Sequence, residues 1–81
     1  MVKLISAKPL ANYTVELVFS NGEKRLFDVK PYLDFGFFKE LKDETYFISL
    51  TTQFDSISWK NGQDFSPDTL FLKSQPLALN S

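Results

Sequence analysis

Ile57-Ser58-Trp59-Lys60-Asn61-Gly62-Gln63-Asp64-Phe65-Ser66-Pro67-Asp68-Thr69-Leu70-Phe71 packs a strand, a tight turn and the start of a helix into one short stretch, and it holds the single Trp of the chain. Ile57 and Trp59 share the parity of one strand face, which marks that face as apolar. Asn61-Gly62 supplies the residues that tolerate a positive φ, so the chain reverses there. Ser66-Pro67-Asp68 then places an N-cap hydroxyl, a Pro at the first helical position and a carboxylate near the positive end of the helix dipole. Phe65 before the cap and Leu70 after it form a staple that sets the entry angle of the helix. Pro76 limits the helix to about residue 73.

Upstream of this corner the same logic reads the rest of the sheet. Ile48 to Thr52 and Ser56 to Lys60 form a hairpin through Gln53, Phe54 and Asp55, with Leu50, Thr52, Ile57 and Trp59 on one face. The pattern admits a loop of two or of four residues. Tyr13-Thr14-Val15-Glu16-Leu17-Val18-Phe19 alternates cleanly and is the clearest strand. Ser20-Asn21-Gly22 joins it to Glu23-Lys24-Arg25-Leu26-Phe27-Asp28-Val29. A two-residue Asn-Gly turn would pair Val15 with Asp28 and mix polar with apolar groups on both faces. A three-residue loop with Gly22 left-handed pairs Val15 with Phe27 and gathers Tyr13, Val15, Leu17, Phe19, Phe27 and Val29 together. Only Arg25 is then out of place. Lys3 to Lys8, ending at Pro9, suits an edge strand.

Between the hairpins the period changes. Pro31 fits a first helical turn, and Asp34 is expected to cap a helix over Phe35 to Lys42, with Leu33 and Phe38 as its staple. Asp43 caps a further turn over residues 44 to 47. Phe38, Leu41 and Phe47 should face the sheet. The expectation is an α+β fold: one domain over residues 1 to 74, an antiparallel sheet of about five strands (hairpins 13 to 19 with 23 to 29, and 48 to 53 with 56 to 60), short helices near 35 to 42, 44 to 47 and 67 to 73, and a tail over 75 to 81.

The chain has 81 residues, and a domain of that size buries only about 60% of the surface its unfolded chain exposes, so large side chains must fill the core. Nine Phe, three Tyr and one Trp do so. There is no Cys and no His, so disulfides, thiolate metal sites and the commonest neutral-pH general base are excluded. Nine basic against ten acidic residues leave a scattered net charge of −1, without the basic footprint of a nucleic-acid binder. No apolar run approaches the ~20 residues of a membrane span, and the N-terminal run is too short for a signal peptide. A cytoplasmic location is expected, with no cofactor, no metal and no nucleic-acid or membrane partner.

Three groups are candidates for chemistry. Asp64 and Asp68, beside Trp59, could form a carboxylate pair for a small-molecule-binding or enzymatic site. The competing reading makes Asp68 a helix-dipole residue and Asp64 a turn residue that satisfies backbone donors. Lys24 and Arg25 are adjacent on a strand and point to opposite faces, which does not suit a phosphate clamp. Phe35, Phe37 and Phe38 cannot all be buried by one helical stripe, so one of them is expected to be exposed, either packed against the chain termini or part of an apolar patch for self-association or a partner.

The arrangement resembles a family of small bacterial proteins known as domain of unknown function 2442. The residues that carry the resemblance are Val15-Glu16-Leu17-Val18-Phe19-Ser20-Asn21-Gly22, Phe27-Asp28-Val29, Leu41, Phe47 and above all Trp59 to Phe71. The last of these matches a Trp-x-Asn-Gly-x-Asp-x-x-Pro-x-x-Leu-aromatic ending, with Lys60 where the family often has Pro and Phe71 where it often has Tyr. The motif positions Trp59, Asn61, Gly62, Asp64, Pro67 and Leu70 are read as structural. The resemblance implies an α+β fold like the N-terminal domain of some helix-turn-helix proteins, and no catalytic residues. It also implies an antitoxin-like or accessory member of a small gene pair. The functional expectation is a protein-interaction module, not an enzyme, that binds a protein partner or itself.

Overall fold

A computed structural model describes residues 2 to 77. Alternation builds the first sheet. Strand β1 (Leu4–Leu10) pairs antiparallel with β2 (Thr14–Phe19), which pairs antiparallel with β3 (Lys24–Asp28). β2 buries Val15, Leu17 and Phe19 and leaves Thr14, Glu16 and Val18 at intermediate exposure. The β2–β3 register sets Val15 opposite Phe27 and Glu16 opposite Leu26, as the hydrophobic pattern requires. Its loop is the expected three-residue one. The Phe19 amide donates to the Glu23 carbonyl at 2.9 Å, the Gly22 amide donates back to the Phe19 carbonyl at 2.9 Å, and Gly22 has φ +89°. A one-residue slip would turn one strand's apolar set away from the other's, either Val15, Leu17 and Phe19 or Phe27 and Val29, a larger cost than the preference of Asn-Gly for the tighter turn.

The core-facing Arg25 is accommodated by its surroundings. Its Nε donates to Ser74 Oγ at 2.7 Å, one terminal nitrogen donates to the Ser74 carbonyl at 2.7 Å and the other to Glu23 Oε1 at 2.9 Å. The guanidinium carbon lies 4.5 Å from the centre of the Phe71 ring. Strand β6 (Gln75–Pro76) then pairs with β3, Arg25 opposite Pro76, so the first residues expected as a tail close the sheet in the order β1-β2-β3-β6. Residues 78 to 81 of that stretch lie outside the described residues.

After β3, Lys30–Tyr32 forms a 3₁₀ turn with Pro31 inside it. The segment expected as a helix from Phe35, capped by Asp34, is a 3₁₀ helix over Gly36–Lys42, and Asp34 does not cap it. Phe35 still has extended dihedrals (φ −91°, ψ 108°), so the entry lies one residue later than the cap would need. The Asp34 carboxylate instead meets Lys42 Nζ at 2.9 Å. α1 (Glu44–Phe47) follows, with the Asp43 carboxylate accepting from the Thr45 amide at 3.0 Å as its expected cap.

The second hairpin is shorter than its pattern suggested. Ile48 and Ser49 donate their amides to the Glu44 and Tyr46 carbonyls, closing α1, so the strand begins only at β4 (Thr51–Gln53). It pairs with β5 (Ser56–Ser58) in the expected register, Thr52 opposite Ile57, as a separate two-stranded sheet. The undecided loop is the two-residue one, with Phe54 (φ 54°) and Asp55 (φ 63°) both left-handed. That is a type I′ turn, which favours Asn and Gly; a Phe in the left-handed region costs about 1–2 kcal/mol.

The opening stretch repeats the device of the first hairpin. The Trp59 amide donates to the Gln63 carbonyl at 2.8 Å, the Gly62 amide to the Trp59 carbonyl at 3.0 Å, and Gly62 has φ +104°. α2 (Pro67–Lys73) starts as expected, Ser66 Oγ accepting from the Thr69 amide at 3.1 Å. The core then gathers around Phe65. Its ring meets Phe27 (4.9 Å between centroids), Tyr32 (5.0 Å), Phe38 (5.2 Å) and Trp59 (6.1 Å). This one side chain joins the sheet, both helical connections and the Trp. The fold is α+β, a single small domain with antiparallel sheets of four and two strands.

Candidate functional site

Two consequences of that core meet at one edge of the molecule. The first is an exposed aromatic pair. Phe38 turns inward onto Phe65, and the 3₁₀ helix that carries it therefore points its neighbours outward: Phe35 is 64% exposed and Phe37 59% exposed. Two of the three phenylalanines face solvent, where one was expected.

The second is a polar cluster beneath them that sequence reading did not anticipate. Gln63, 1% exposed, is the most buried polar side chain described. Its Oε1 accepts from the Tyr46 hydroxyl at 2.6 Å; its Nε2 donates to the Phe37 carbonyl at 3.0 Å and to Glu40 Oε1 at 2.9 Å. The Asn61 side-chain amide donates to Glu40 Oε2 at 2.7 Å, and the Asn61 backbone amide donates to the Tyr46 oxygen at 2.9 Å. Both Glu40 oxygens are thus occupied, and the hydrogen bonds from Asn61 and then Gln63 hold its carboxyl below the usual glutamate range. Buried side-chain polar atoms are all hydrogen-bonded among the described residues. The cluster ties the Lys60-Asn61-Gly62 turn to the segment that displays Phe37, whose ring lies over Gly62: a Cβ there would sit 3.4 Å from the ring. The sequence signal was available in outline, since a polar residue directly after an Asn-Gly turn, at the parity of Trp59, faces inward. Its partners Tyr46, on α1, and Glu40, on the 3₁₀ helix, carry no local mark.

The other motif residues are spread through the same corner. Trp59 is buried, its Nε1 donating to the Phe47 carbonyl at 2.9 Å. Pro67 occupies the first turn of α2, and Leu70 is fully buried on the inner side of that helix. Asp64 and Asp68 are both exposed and line different hollows, of about 250 Å³ and about 560 Å³ respectively. Trp59 lines neither hollow, and among the described residues no three Asp or Glu side chains come together as metal ligands would. Lys24 is exposed while Arg25 is turned inward, so the two share no anion. Among the described residues no helix is long and apolar enough to cross a membrane.

The described residues form an α+β domain with a buried Trp, a glutamine-centred polar cluster and an outward aromatic pair. The chain belongs to the DUF2442 family of proteins of unknown function, whose model matches residues 4–76. No curated protein and no solved structure matches it.

Proposed function

We propose that this domain is a protein-interaction module whose contact surface centres on Phe35 and Phe37. The observation that carries the reading is the pairing of exposure with rigidity: two outward phenyl rings stand on a backbone that the buried Gln63 amide holds through the Phe37 carbonyl. Exposed aromatics on a pre-organised backbone supply contact area with little ordering cost on binding. The lack of His and Cys and the separation of Asp64 from Asp68 support binding over catalysis. The partner is another protein chain or a second copy of this one, and the family resemblance, with the small gene pair it implies, favours an antitoxin-like or accessory role.

The test is co-purification of the whole chain from its native host, compared with a Phe35→Ser/Phe37→Ser variant. A defined partner or a homo-oligomer that the wild type retains and the variant loses, with the thermal transition of the variant unchanged, is the expected result. A wild-type chain recovered as a monomer without a partner overturns the reading.

A further inference from the structure

The turn between β4 and β5 breaks a local rule without a return in packing. Phe54 adopts a left-handed conformation that Asn or Gly would hold more easily, and its ring is 85% exposed, so the core gains nothing from it. Strain that the fold does not use points to a role outside the fold.

The surroundings of Phe54 say what that role is. On one side the ring borders the hollow of about 250 Å³ that also holds Asp64. Asp55, next in the chain, borders the neighbouring hollow of about 560 Å³, with Asp68 on its rim and Phe71 and Leu72 among its apolar walls. The two hollows adjoin on one face of the molecule, where Ser66 and Pro67 line both. Leu72 on that face is 73% exposed. Three carboxylates border it, and no Lys or Arg lines either hollow. The ion pairs of the described residues join Arg25 to Glu23, Lys30 to Asp28 and Lys42 to Asp34, and none involves Asp55, Asp64 or Asp68. In a chain of net charge −1 these carboxylates, in no ion pair among the described residues, gather negative charge around apolar walls, with the Arg25 guanidinium 4.5 Å from the Phe71 ring as the nearby cation and Asp68 in the first turn of α2.

We propose that this face is a second docking site, distinct from the Phe35 and Phe37 surface, for a protein segment that carries an aliphatic or aromatic side chain next to Lys or Arg. The apolar side chain enters the hollow walled by Phe71 and Leu72, Phe54 packs over the segment, and the cation meets Asp55 and Asp68. Charge complementarity sets the choice of partner, and the apolar contact keeps the segment in place.

The test selects random peptides displayed on phage against the immobilised whole chain, then measures the enriched peptides in solution by fluorescence anisotropy. Enriched sequences should place Lys or Arg within two or so positions of an aliphatic or aromatic residue. Their affinity should fall about tenfold or more in Asp55→Asn/Asp68→Asn and in Phe54→Asn, and fall with added salt, as expected for charge pairs at a partly exposed interface. Phe54→Asn is the decisive variant, because it removes the ring that packs over the segment and relieves the turn, and so weakens binding without weakening the fold. Phe35→Ser/Phe37→Ser should leave these affinities unchanged, which separates a failure here from a failure of the first surface. Peptides without a basic residue, no enrichment, or affinities indifferent to the Asp55, Asp68 and Phe54 changes would overturn the proposal.

Discussion

The side-chain amide of Gln63 donates to the Phe37 carbonyl at 3.0 Å, so a residue of the turn after Trp59 holds the backbone of a segment 26 positions earlier. That bond lies within the polar cluster that also engages Tyr46 and Glu40. Replacement by Leu keeps the volume and removes every polar contact. The Tyr46 hydroxyl then loses its acceptor and the Phe37 carbonyl its donor, so Gln63→Leu should destabilise the fold by about 1–3 kcal/mol. Urea denaturation followed by Trp59 fluorescence measures this, and an unchanged midpoint would contradict the assigned role.

Gly62 has φ +104° and the Phe37 ring above it. A β-branched side chain there meets both a disfavoured backbone region and the ring at 3.4 Å. Gly62→Val is expected to cost about 1–3 kcal/mol. A variant with wild-type thermal stability would show that the turn can take another form.

Arg25 couples the last strand to the sheet. With the guanidinium gone, Ser74 loses the donors to both its hydroxyl and its carbonyl, and β6 loses the contact that leads into it. Arg25→Met should cost about 1–3 kcal/mol and speed hydrogen exchange at the Leu77 amide, which donates to the Lys24 carbonyl at 3.0 Å. Unaltered exchange at Leu77 would mean that β6 is held by its backbone pairing alone.

Phe54→Asn should raise stability by about 1 kcal/mol, since Asn accepts the left-handed conformation that Phe resists and the exposed ring contributes little burial. Calorimetry reads this directly. A lower melting temperature would show that the ring stabilises the turn.

Glu40 makes one contribution to stability depend on pH. Its carboxyl is held below its ordinary value of 4.5 by the bonds from Asn61 and Gln63, so the folded state favours the ionised form. The contribution is present above that ordinary value and is lost as pH falls through the lowered folded value. Wild type should therefore lose its stability advantage over Glu40→Gln as pH drops from 6 toward 3. A difference that stays constant over that range would rule out the linkage.

Much of this was legible in the chain because the evidence for it was local. The register of the β2–β3 hairpin followed from parity alone: only Val15 opposite Phe27 keeps the apolar residues on one face. The caps at Asp43 and Ser66 and the reversal at Gly62 rest on side chains within three residues of the groups they serve. Asp34 misled for the same reason, since a cap motif specifies nothing when the following residue stays extended and a more distant Lys42 takes the carboxylate.

What only the tertiary structure decided are the relationships between distant elements. Gln63 finds Tyr46 and Phe37, and Arg25 finds Ser74 and Phe71, across separations at which no sequence period constrains the approach. The exposure of Phe35 and Phe37 likewise depends on which ring of the aromatic run Phe65 accepts, and it accepts Phe38. By itself the sequence determined most of the elements, their faces and the hairpin registers, because short-range sterics and alternation act within each segment; β6, paired through Arg25 and Pro76, and the 3₁₀ form of residues 36 to 42 came from tertiary packing. Packing around Phe65 determined which side chains were left outside, Phe35 and Phe37 among them.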